Sequence, residues 1–339
     1  MKSFNNLYEQ IYSFDNLHLA YLKARKNKRY NQEVLEFSAN LEERLITLQN
    51  ELIWQTYKPG RYREFYVHDP KTRLILALPF RDRVIHQALY NVVEQIFESS
   101  FIADSFACRK DKGTLAGVKR NEKFLLNELS NNRETFCLKM DIKKYFYSIN
   151  HDVLKKLVRK KIRCKRTLGL IDIIIDSTAG IGIPVGNLTS QLFANIYLNE
   201  VDHFVKERLI VKHYVRYMDD MIILHKNKQQ LWEWLSEIRE FLKTLQLELN
   251  EKTAVFNSKK GIDFLGYRQF SNYRILRKRI IKKNYRKFNK FMKVKVSQEQ
   301  INNSLHSLFG QCKHCNSKIV LSNIKKIVGD TIWAQIFLS

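Results

Sequence analysis

The chain is poor in the residues that interrupt regular structure, with 11 glycines and 4 prolines among 339 residues. This scarcity excludes collagen-like and glycine–serine linker architectures, and it argues against a turn-dense β-sandwich. A content of 45% hydrophobic and 12% aromatic residues is enough to bury a sizeable core, which excludes extended disorder. We expect a mostly helical protein with two or three subdomains.

Long apolar runs are also absent. No run of 18 or more apolar residues occurs, and the first residues (MKSFNNLYEQIYSF) contain Glu9 and no continuous apolar block. The sequence therefore predicts neither a membrane span nor a signal peptide, and we expect a cytoplasmic protein. The five cysteines are scattered and odd in number, which predicts free thiols. Cys312 and Cys315 form half of a zinc motif, but no second Cys/His pair stands at finger spacing, so we favour a helical segment there.

Acidic residues are few relative to basic ones. Lys and Arg number 59 against 34 Asp and Glu, a formal net charge of +25, which predicts a polyanionic partner and nucleic acid first. Two segments concentrate the cations, 155–166 (KKLVRKKIRCKR) and 259–296. A solvated basic helix face is the alternative, but the aromatics interleaved in the second segment favour nucleic acid. The candidate phosphate-binding residues are Lys155, Lys156, Arg159, Lys160, Lys161, Arg277, Lys278, Arg279, Lys282 and Lys283.

Hydrophobic periodicity predicts both helices and strands. The predicted helices cover residues 33–52, 80–98, 151–163, 187–208 and 229–247, and the predicted strands 62–67, 73–78, 135–141, 252–257 and 262–270. Two further apolar runs, 211–216 and 221–225, are joined by Tyr217, Met218, Asp219 and Asp220, which predicts a hairpin with acids at its tip. Strands that end in acids and pack on helices indicate an α+β sheet domain.

Three aspartates occupy the ends of these strands. Asp141 ends a buried strand, and Asp219 with Asp220 lies at the hairpin tip. An ordinary hairpin turn is the alternative for two adjacent acids. Carboxylates that converge from separate strands are what two Mg²⁺ ions about 3.5–4 Å apart require, so we expect a site for two Mg²⁺, with Mn²⁺ able to replace them in vitro.

The motifs around these aspartates resemble those of reverse transcriptases, in the same order from about residue 60 to 270. KTRLILALPFRDRVIHQAL (71–89) and DSFACRKDKGTLAGV (104–118) resemble the two fingers motifs, and CLKMDIKKYF (137–146) resembles motif A. GIPVGNLTSQLFANIYLNEVD (182–202), HYVRYMDDMIIL (213–224), LELNEKTAVF (247–256) and GIDFLGY (261–267) resemble motifs B to E. The resemblance implies a right-hand polymerase of α+β class with an antiparallel palm sheet, adding nucleotides to a primer 3′-hydroxyl.

The same resemblance implies a domain arrangement. It comprises an N-terminal helical extension (1–58), fingers (59–136, with 150–180 returning to the fingers and palm), a palm (137–149 and 181–258), a primer-grip hairpin (259–272) and a helical thumb (273–339). We expect the last segment to hold a thumb but no ribonuclease H, maturase region or endonuclease.

Residue roles follow from the motifs. The resemblance implies that Asp141, Asp219 and Asp220 bind the metals together with the backbone carbonyl of Ile142, and that Lys252 is the general acid for pyrophosphate. An exposed surface lysine is the alternative for Lys252. The implied nucleotide-binding residues are Lys71, Arg73, Phe146, Val185, Gly186 and Gln191, and the implied primer-grip residues are Phe264, Leu265, Gly266 and Tyr267. Phe146 would be the gate that excludes a ribose 2′-hydroxyl, with a core aromatic as the alternative.

The sequence of motif B narrows the resemblance to one group of reverse transcriptases. Most reverse transcriptases carry Gln-Gly-x-x-x-Ser-Pro, whereas this chain has Val185-Gly186-Asn187-Leu188-Thr189-Ser190-Gln191. This departure is similar to the reverse transcriptases of diversity-generating retroelements, which are encoded by bacteria or phages. They copy a template-repeat RNA into cDNA with frequent errors at adenines, and the altered cDNA replaces part of a target gene, which is mutagenic retrohoming.

This narrower resemblance implies particular partners: a structured template RNA with its cDNA or primer, dNTPs, and a small basic accessory variability protein that forms oligomers. Two alternatives stay open. One is a group II intron-like, retron-like or phage-defence reverse transcriptase with the same chemistry. The other is a non-catalytic RNA-binding scaffold on a polymerase fold, which would be expected to lack one of the three acids, and all three are present.

Overall fold

The computed structural model describes residues 3–68, 72–129, 134–178, 180–294 and 296–335. The chain divides into two compact units. The first comprises Met1–Gly113, Met140–Met221 and Glu233–Thr253, and the second comprises Thr114–Lys139, Ile222–Trp232 and Ala254–Ser339. Within the described ranges, no helix is long and apolar enough to cross a membrane.

Fifteen α-helices and nine strands are named in chain order for the described residues. The helices are α1 Tyr8–Tyr12, α2 Phe14–Ala24, α3 Gln32–Ala39, α4 Leu41–Ile53, α5 Phe80–Glu98, α6 Thr114–Leu129, α7 Tyr145–Ser148, α8 His151–Arg159, α9 Lys165–Ile175, α10 Leu188–His203, α11 Lys228–Thr244, α12 Lys278–Lys293, α13 Gln298–Cys312, α14 Lys318–Val328 and α15 Asp330–Gln335. The strands are β1 Arg63–Val67, β2 Arg73–Ala77, β3 Phe136–Asp141, β4 Tyr214–Tyr217, β5 Asp220–His225, β6 Ala254–Asn257, β7 Ile262–Phe264, β8 Tyr267–Gln269 and β9 Arg274–Leu276.

The strands form three sheets with the orders β1-β2, β4-β5-β3-β6 and β7-β8-β9. The β1–β2, β3–β6, β7–β8 and β8–β9 pairs are antiparallel. This mixture of helices and antiparallel sheets confirms the α+β class. Strand β9 was not predicted, because its three residues are too few for an alternating pattern to be recognised.

The first unit is built around α5 and α10. The predicted 80–98 helix is confirmed, and its apolar stripe, including Val84, Ile85 and Leu89, is fully buried. Helix α10 is buried on nearly every side from Leu192 to Asn199, as expected of a helix at the centre of a fold. It runs into a π-helical turn, Phe204–Arg208, so the predicted 187–208 helix changes its winding near its end.

Two helix predictions need correction. The predicted 33–52 helix is two helices, α3 and α4, because Asn40 between them adopts non-helical angles (φ −125°, ψ 53°). The predicted 151–163 helix ends at Arg159, because the following backbone pairs with the N-terminal segment. Phe4 N–H donates to the Lys161 carbonyl at 2.8 Å, and Arg163 N–H donates to the Phe4 carbonyl at 2.9 Å.

The second unit has a helical core formed by α12, α13 and α14. Phe288, Leu305 and Ile324, one from each helix, are fully buried. Val118 from α6 and Tyr267 from the hairpin join the same cluster. The segment after residue 272 is thus largely helical.

Candidate active site

The three aspartates lie where strands of the β4-β5-β3-β6 sheet begin or end. Asp141 is the last residue of β3, Asp220 is the first of β5, and Met218 and Asp219 form the two-residue turn from β4 to β5. Burial raises the pKa of Asp219 to about 6, and the nearby Asp141 and Asp220 carboxylates add to the increase. Three like charges are therefore close together at this edge of the sheet.

The turn rests on a buried ion pair. Arg216, on β4, and Asp202, on α10, are both completely buried, and two nitrogens of the guanidinium donate to the two carboxylate oxygens at 2.7 and 2.6 Å. Burial lowers the pKa of Arg216, but the Asp202 carboxylate more than offsets this, so the pKa stays above its ordinary value. Arg216 also donates to the Met218 carbonyl at 3.2 Å, which ties the pair to the residue before Asp219.

Asn250 holds Asp141 from the other side. Its backbone N–H donates to the Asp141 carbonyl at 2.7 Å, and its side-chain Nδ2 donates to Oδ2 of the carboxylate at 3.2 Å. Ile142, fully buried, pairs with Leu249 in an antiparallel bridge next to these contacts. Lys252 is exposed, and its backbone N–H donates to Asn250 Oδ1 at 3.1 Å in a local turn.

The acid set is suited to hard divalent cations. Carboxylate oxygens are the ligands that Mg²⁺ prefers, and Mg²⁺ is usually held by one or two carboxylates, waters and substrate phosphates. In the described parts of the chain, no group of three His, Cys, Asp or Glu side chains is arranged to hold a metal ion without further ligands. A bound cation would offset both the burial and the repulsion that raise the pKa of Asp219, so the residues fit the ions that the sequence predicts.

Arg73 lies beside the acids at the start of β2. Its guanidinium attracts the Asp219 carboxylate and opposes the rise in that group's pKa. The β1–β2 hairpin places Arg73 opposite Val67 and Ile75 opposite Phe65, so both pairs share one face. Lys71 lies outside the described residues.

Phe146 is half-buried in the turn after Asp141, where its ring meets Tyr145 edge-on at 5.7 Å. The first residues of motif B pack closely on this turn. Ile183 N–H donates to the Phe146 carbonyl at 2.8 Å, and a Cβ at Gly182 would stand 3.0 Å from the Tyr147 backbone. Because Gly182 also has φ +97°, a larger residue there would displace the turn that carries Phe146.

The loop that opens α10 faces the β1–β2 hairpin. Val185 is half-buried and Gly186 is exposed with φ +115°, and a Cβ on Gly186 would lie 3.2 Å from Ile75 Cγ2. A cavity of about 520 Å³ is lined by Arg63, Phe65 and Ile75 of the hairpin together with Gly186.

Two polar contacts fasten this loop. Asn187 Nδ2 donates to the Tyr62 hydroxyl at 3.4 Å, and Thr189 Oγ1 lies 2.8 Å from Nδ1 of the buried His86. Asn187 occupies the N-cap position but does not cap the helix with its side chain. Gln191 is half-buried in the first turn of α10.

The predicted primer-grip residues form a tight hairpin in the second unit. Leu265 and Gly266 link β7 to β8, and both have positive φ angles, 48° and 91°, as a two-residue type I′ turn requires. Phe264 is fully buried, and the Tyr267 hydroxyl donates to the Gln311 carbonyl at 3.1 Å.

The two sets of basic residues differ in their environment. On α8, Lys155 pairs with Asp176 and Arg159 with Asp172, while Lys160 pairs with Glu200. The other two residues of that set, Lys156 and Lys161, are exposed and half-buried, respectively. The set on the second unit lies at the start of α12, where Arg277 is half-buried and near Asp263 and the other four are exposed: Lys278, Arg279, Lys282 and Lys283.

Sequence reasoning missed three residues of this site: Asp202, Arg216 and Asn250. Asp202 and Arg216 are charged residues at positions where the helix and strand patterns call for apolar ones. Such a charged residue in an apolar pattern indicates a buried ion pair, but it does not indicate which acid pairs with which base. Asn250 lies in the motif D segment, two residues before Lys252, and nothing in the sequence around it indicates a contact with Asp141.

A sheet that brings three carboxylates together at one edge, in a chain with a large excess of positive charge, suits a metal-dependent enzyme that acts on nucleic acid. The model of the family "Reverse transcriptase (RNA-dependent DNA polymerase)" matches residues 63–269, more than half of the chain, and the chain belongs to this family. It is an RNA-directed DNA polymerase, and its family works on RNA templates with dNTPs and divalent metal ions.

Several curated proteins are similar to the chain. Protein YkfC of Escherichia coli K12 is 28% identical over 275 residues, which cover 68% of this chain and 72% of YkfC. The group II intron-encoded protein LtrA of Lactococcus lactis subsp. cremoris is 24% identical over 343 residues. That match covers 78% of this chain and 56% of LtrA, so the chain spans little more than half the length of this relative.

Proposed function

We propose that the chain is the reverse transcriptase of a diversity-generating retroelement, which copies a template-repeat RNA into cDNA with low fidelity at adenines. The observation that carries this proposal is Val185. It stands where most reverse transcriptases have glutamine, in a loop that faces the hairpin bearing Arg73. An aliphatic side chain offers a nucleotide no hydrogen bond, so base selection there relies on shape and pairing alone.

In this proposal Asp141, Asp219 and Asp220 hold two Mg²⁺ ions, with the Ile142 carbonyl as a further ligand. Bound there, the ions would activate the primer 3′-hydroxyl and neutralise the charge of the leaving pyrophosphate. Arg73 and Lys71 hold the triphosphate, and Val185, Gly186 and Gln191 border the nucleotide. Lys252 is exposed and free to reorient as a general acid for pyrophosphate.

The domain arrangement of fingers, palm and thumb with an N-terminal extension is part of the same proposal. The hairpin of Phe264, Leu265, Gly266 and Tyr267 is proposed to grip the primer, and the exposed cations of α12 to hold the duplex. The partners are a structured template RNA, its cDNA or primer, and a small basic oligomeric accessory protein.

Phe146→Ala tests the proposed sugar gate. Removal of the ring opens space next to the turn after Asp141, so we expect the efficiency of rNTP relative to dNTP incorporation to rise by about 100-fold, within the range that steric discrimination supplies. Single-nucleotide extension with each nucleotide measures the ratio. Tyr145→Phe, next to it but buried, is the matched control. An unchanged ratio in Phe146→Ala would mean that the ring serves only packing.

Val185→Gln tests the proposed infidelity. If the aliphatic side chain loosens base selection, the glutamine should reduce errors opposite template adenines by about 10-fold, a change typical of one added polar contact in a binding site. The measurement is sequencing of cDNA made by the purified chain, with its RNA and accessory protein, on a defined template.

Leu188→Gln, at the half-buried first residue of α10 directly after this loop, controls for disturbance of the loop. Wild-type cDNA that is faithful at adenines would contradict the mutagenic role while leaving the polymerase intact. Errors spread equally over the four bases would contradict the adenine preference.

A group II intron-like role is the second candidate, favoured by the similarity to LtrA across 78% of this chain. The two roles differ in their products. A group II intron-like enzyme should make cDNA with few errors at every template base, and its neighbouring DNA should lack a template repeat that differs from a target gene mainly at adenines.

A further inference from the structure

A second cavity lies in the first unit. Its lining includes Lys160 and Lys161, two of the predicted phosphate-binding residues, but none of the residues of the proposed metal and nucleotide site. Its volume is about 360 Å³, within the range of small-ligand pockets. The end of α5, the end of α8 and the second half of α10 enclose it. Aromatic and aliphatic side chains form much of the wall: Phe97, Phe101, Leu157 and Ile196.

Asn199 lines this cavity with an unsatisfied polar atom. The side chain is 8% exposed, and its Oδ1 is buried without a hydrogen-bond partner anywhere in the described chain. A buried carbonyl oxygen without a donor is destabilising. Because Asn199 lies on the wall of the cavity, a bound ligand with an N–H group would donate the missing hydrogen bond to this oxygen.

Lys161 supplies the cavity with a positive charge. Burial lowers the pKa of this lysine, and among the described residues it takes part in no ion pair. The other charged groups on the wall are matched with one another. Lys160 contacts Glu200 at 2.7 Å, and His203 contacts Glu207 at 2.6 Å.

We propose that this cavity binds a nucleotide, with the base between the apolar walls, a base N–H donating to Asn199 Oδ1, and the phosphate on Lys161. Every nucleobase has at least one N–H donor, and aromatic side chains such as Phe97 and Phe101 suit a flat base. Of the two lysines on the cavity wall, Lys160 is paired with Glu200, so Lys161 is the group that attracts an anion.

The nucleotide has two sources with the same chemistry, a free nucleotide or an unstacked nucleotide of bound RNA. The chain acts on RNA templates, and the basic helix α8 ends at the cavity, with exposed Lys156 one turn before it. An RNA strand that follows this helix reaches the cavity, and single-stranded RNA is commonly bound by inserting unstacked bases into such pockets.

The test uses the full chain without divalent metal, in EDTA, so that binding at the polymerase site is weakened. Titration with AMP, GMP, CMP and UMP by calorimetry gives affinity. Photo-crosslinking with 8-azido-AMP, followed by mass spectrometry, identifies the labelled peptides. We expect labels in residues 157–161 and 196–207, and a loss of affinity of about 10-fold in Asn199→Leu, equivalent to one hydrogen bond. Lys161→Met should lose a similar factor.

Two variants serve as matched controls. Lys58→Met removes an exposed lysine that does not line the cavity and should leave nucleotide affinity unchanged. Asn195 lies one turn before Asn199 on α10, but its amide is satisfied: Nδ2 donates to the Ala107 carbonyl at 2.9 Å, and Oδ1 accepts from Arg216 at 3.1 Å. Asn195→Leu should therefore lower the melting temperature, whereas Asn199→Leu should not, because its oxygen has no partner to lose.

An RNA oligonucleotide carrying 8-azidoadenosine distinguishes the sources. Labelling of the same peptides by RNA but not by free AMP identifies an RNA nucleotide, and labelling by AMP alone identifies a free nucleotide. No label in these peptides from either probe would overturn the proposal. Affinity or labelling that is unchanged in Asn199→Leu would overturn it as well.

Discussion

Asp219→Asn is expected to slow nucleotide addition by at least about 1,000-fold while the chain remains as stable as the wild type or becomes more stable. The rate falls because the carboxamide cannot supply the anionic oxygen that a divalent cation needs, and loss of charge stabilisation in a polymerase site is worth several kcal/mol. Stability is retained because the substitution keeps the shape of the side chain and removes a half-buried charge that Asp141 and Asp220 repel.

The measurement pairs single-turnover primer extension at saturating Mg²⁺ with thermal unfolding of the same preparation. Asp15→Asn, an exposed aspartate in the first turn of α2, controls for the chemical change and should retain full activity. Activity of Asp219→Asn within 10-fold of the wild type would contradict the proposed metal site. A lower melting temperature of Asp219→Asn would mean that the Asp219 carboxylate stabilises the fold, against the expectation from its repulsion by Asp141 and Asp220.

The parts of the fold that the sequence predicts well are those where one local pattern is sufficient. The α5 stripe repeats with helical spacing over five turns, and the acids that end β3 and begin β5 interrupt strongly apolar runs. The break at Asn40 was missed because the apolar positions of α3 and α4 continue one helical period across it. Helix α8 ends early because the residues after it pair with Phe4, about 155 residues away in the chain. A local hydrophobic pattern cannot predict such a distant contact.

The candidate site divides in the same way. Asp141, Asp219 and Asp220 are visible as motifs, and the structure places their charges together. The pairing of Asp202 with Arg216 is invisible, since the two side chains come from a helix and a strand and meet only in the folded chain. Each of the two charges is buried and needs a partner, and that partner lies on another element of the fold. The packing of α10 against β4 brings the two together.

That buried pair carries the second large prediction, a destabilisation by about 3–5 kcal/mol in Asp202→Asn. The asparagine removes the charge but leaves the Arg216 guanidinium fully buried, and an uncompensated buried cation is strongly unfavourable. Urea unfolding of the full chain measures the change. Asp172→Asn removes the carboxylate of a more exposed pair with Arg159 and should cost less than about 1 kcal/mol. Equal losses in the two variants would contradict the argument.

The double variant Asp202→Leu, Arg216→Met separates stability from function. Apolar replacement of a complete buried pair is often neutral for stability. This variant also removes the acceptor of the Tyr214 hydroxyl (2.8 Å) and the donor to Asn195 Oδ1 (3.1 Å), so it should recover only part of what Asp202→Asn loses. It cannot restore the hydrogen bond from Arg216 to the Met218 carbonyl, which holds the turn before Asp219. We therefore expect a stability between those of Asp202→Asn and the wild type, together with nucleotide addition slower by about 10-fold, the effect of one lost positioning contact. Full activity in this variant would mean that the turn keeps its shape without the arginine.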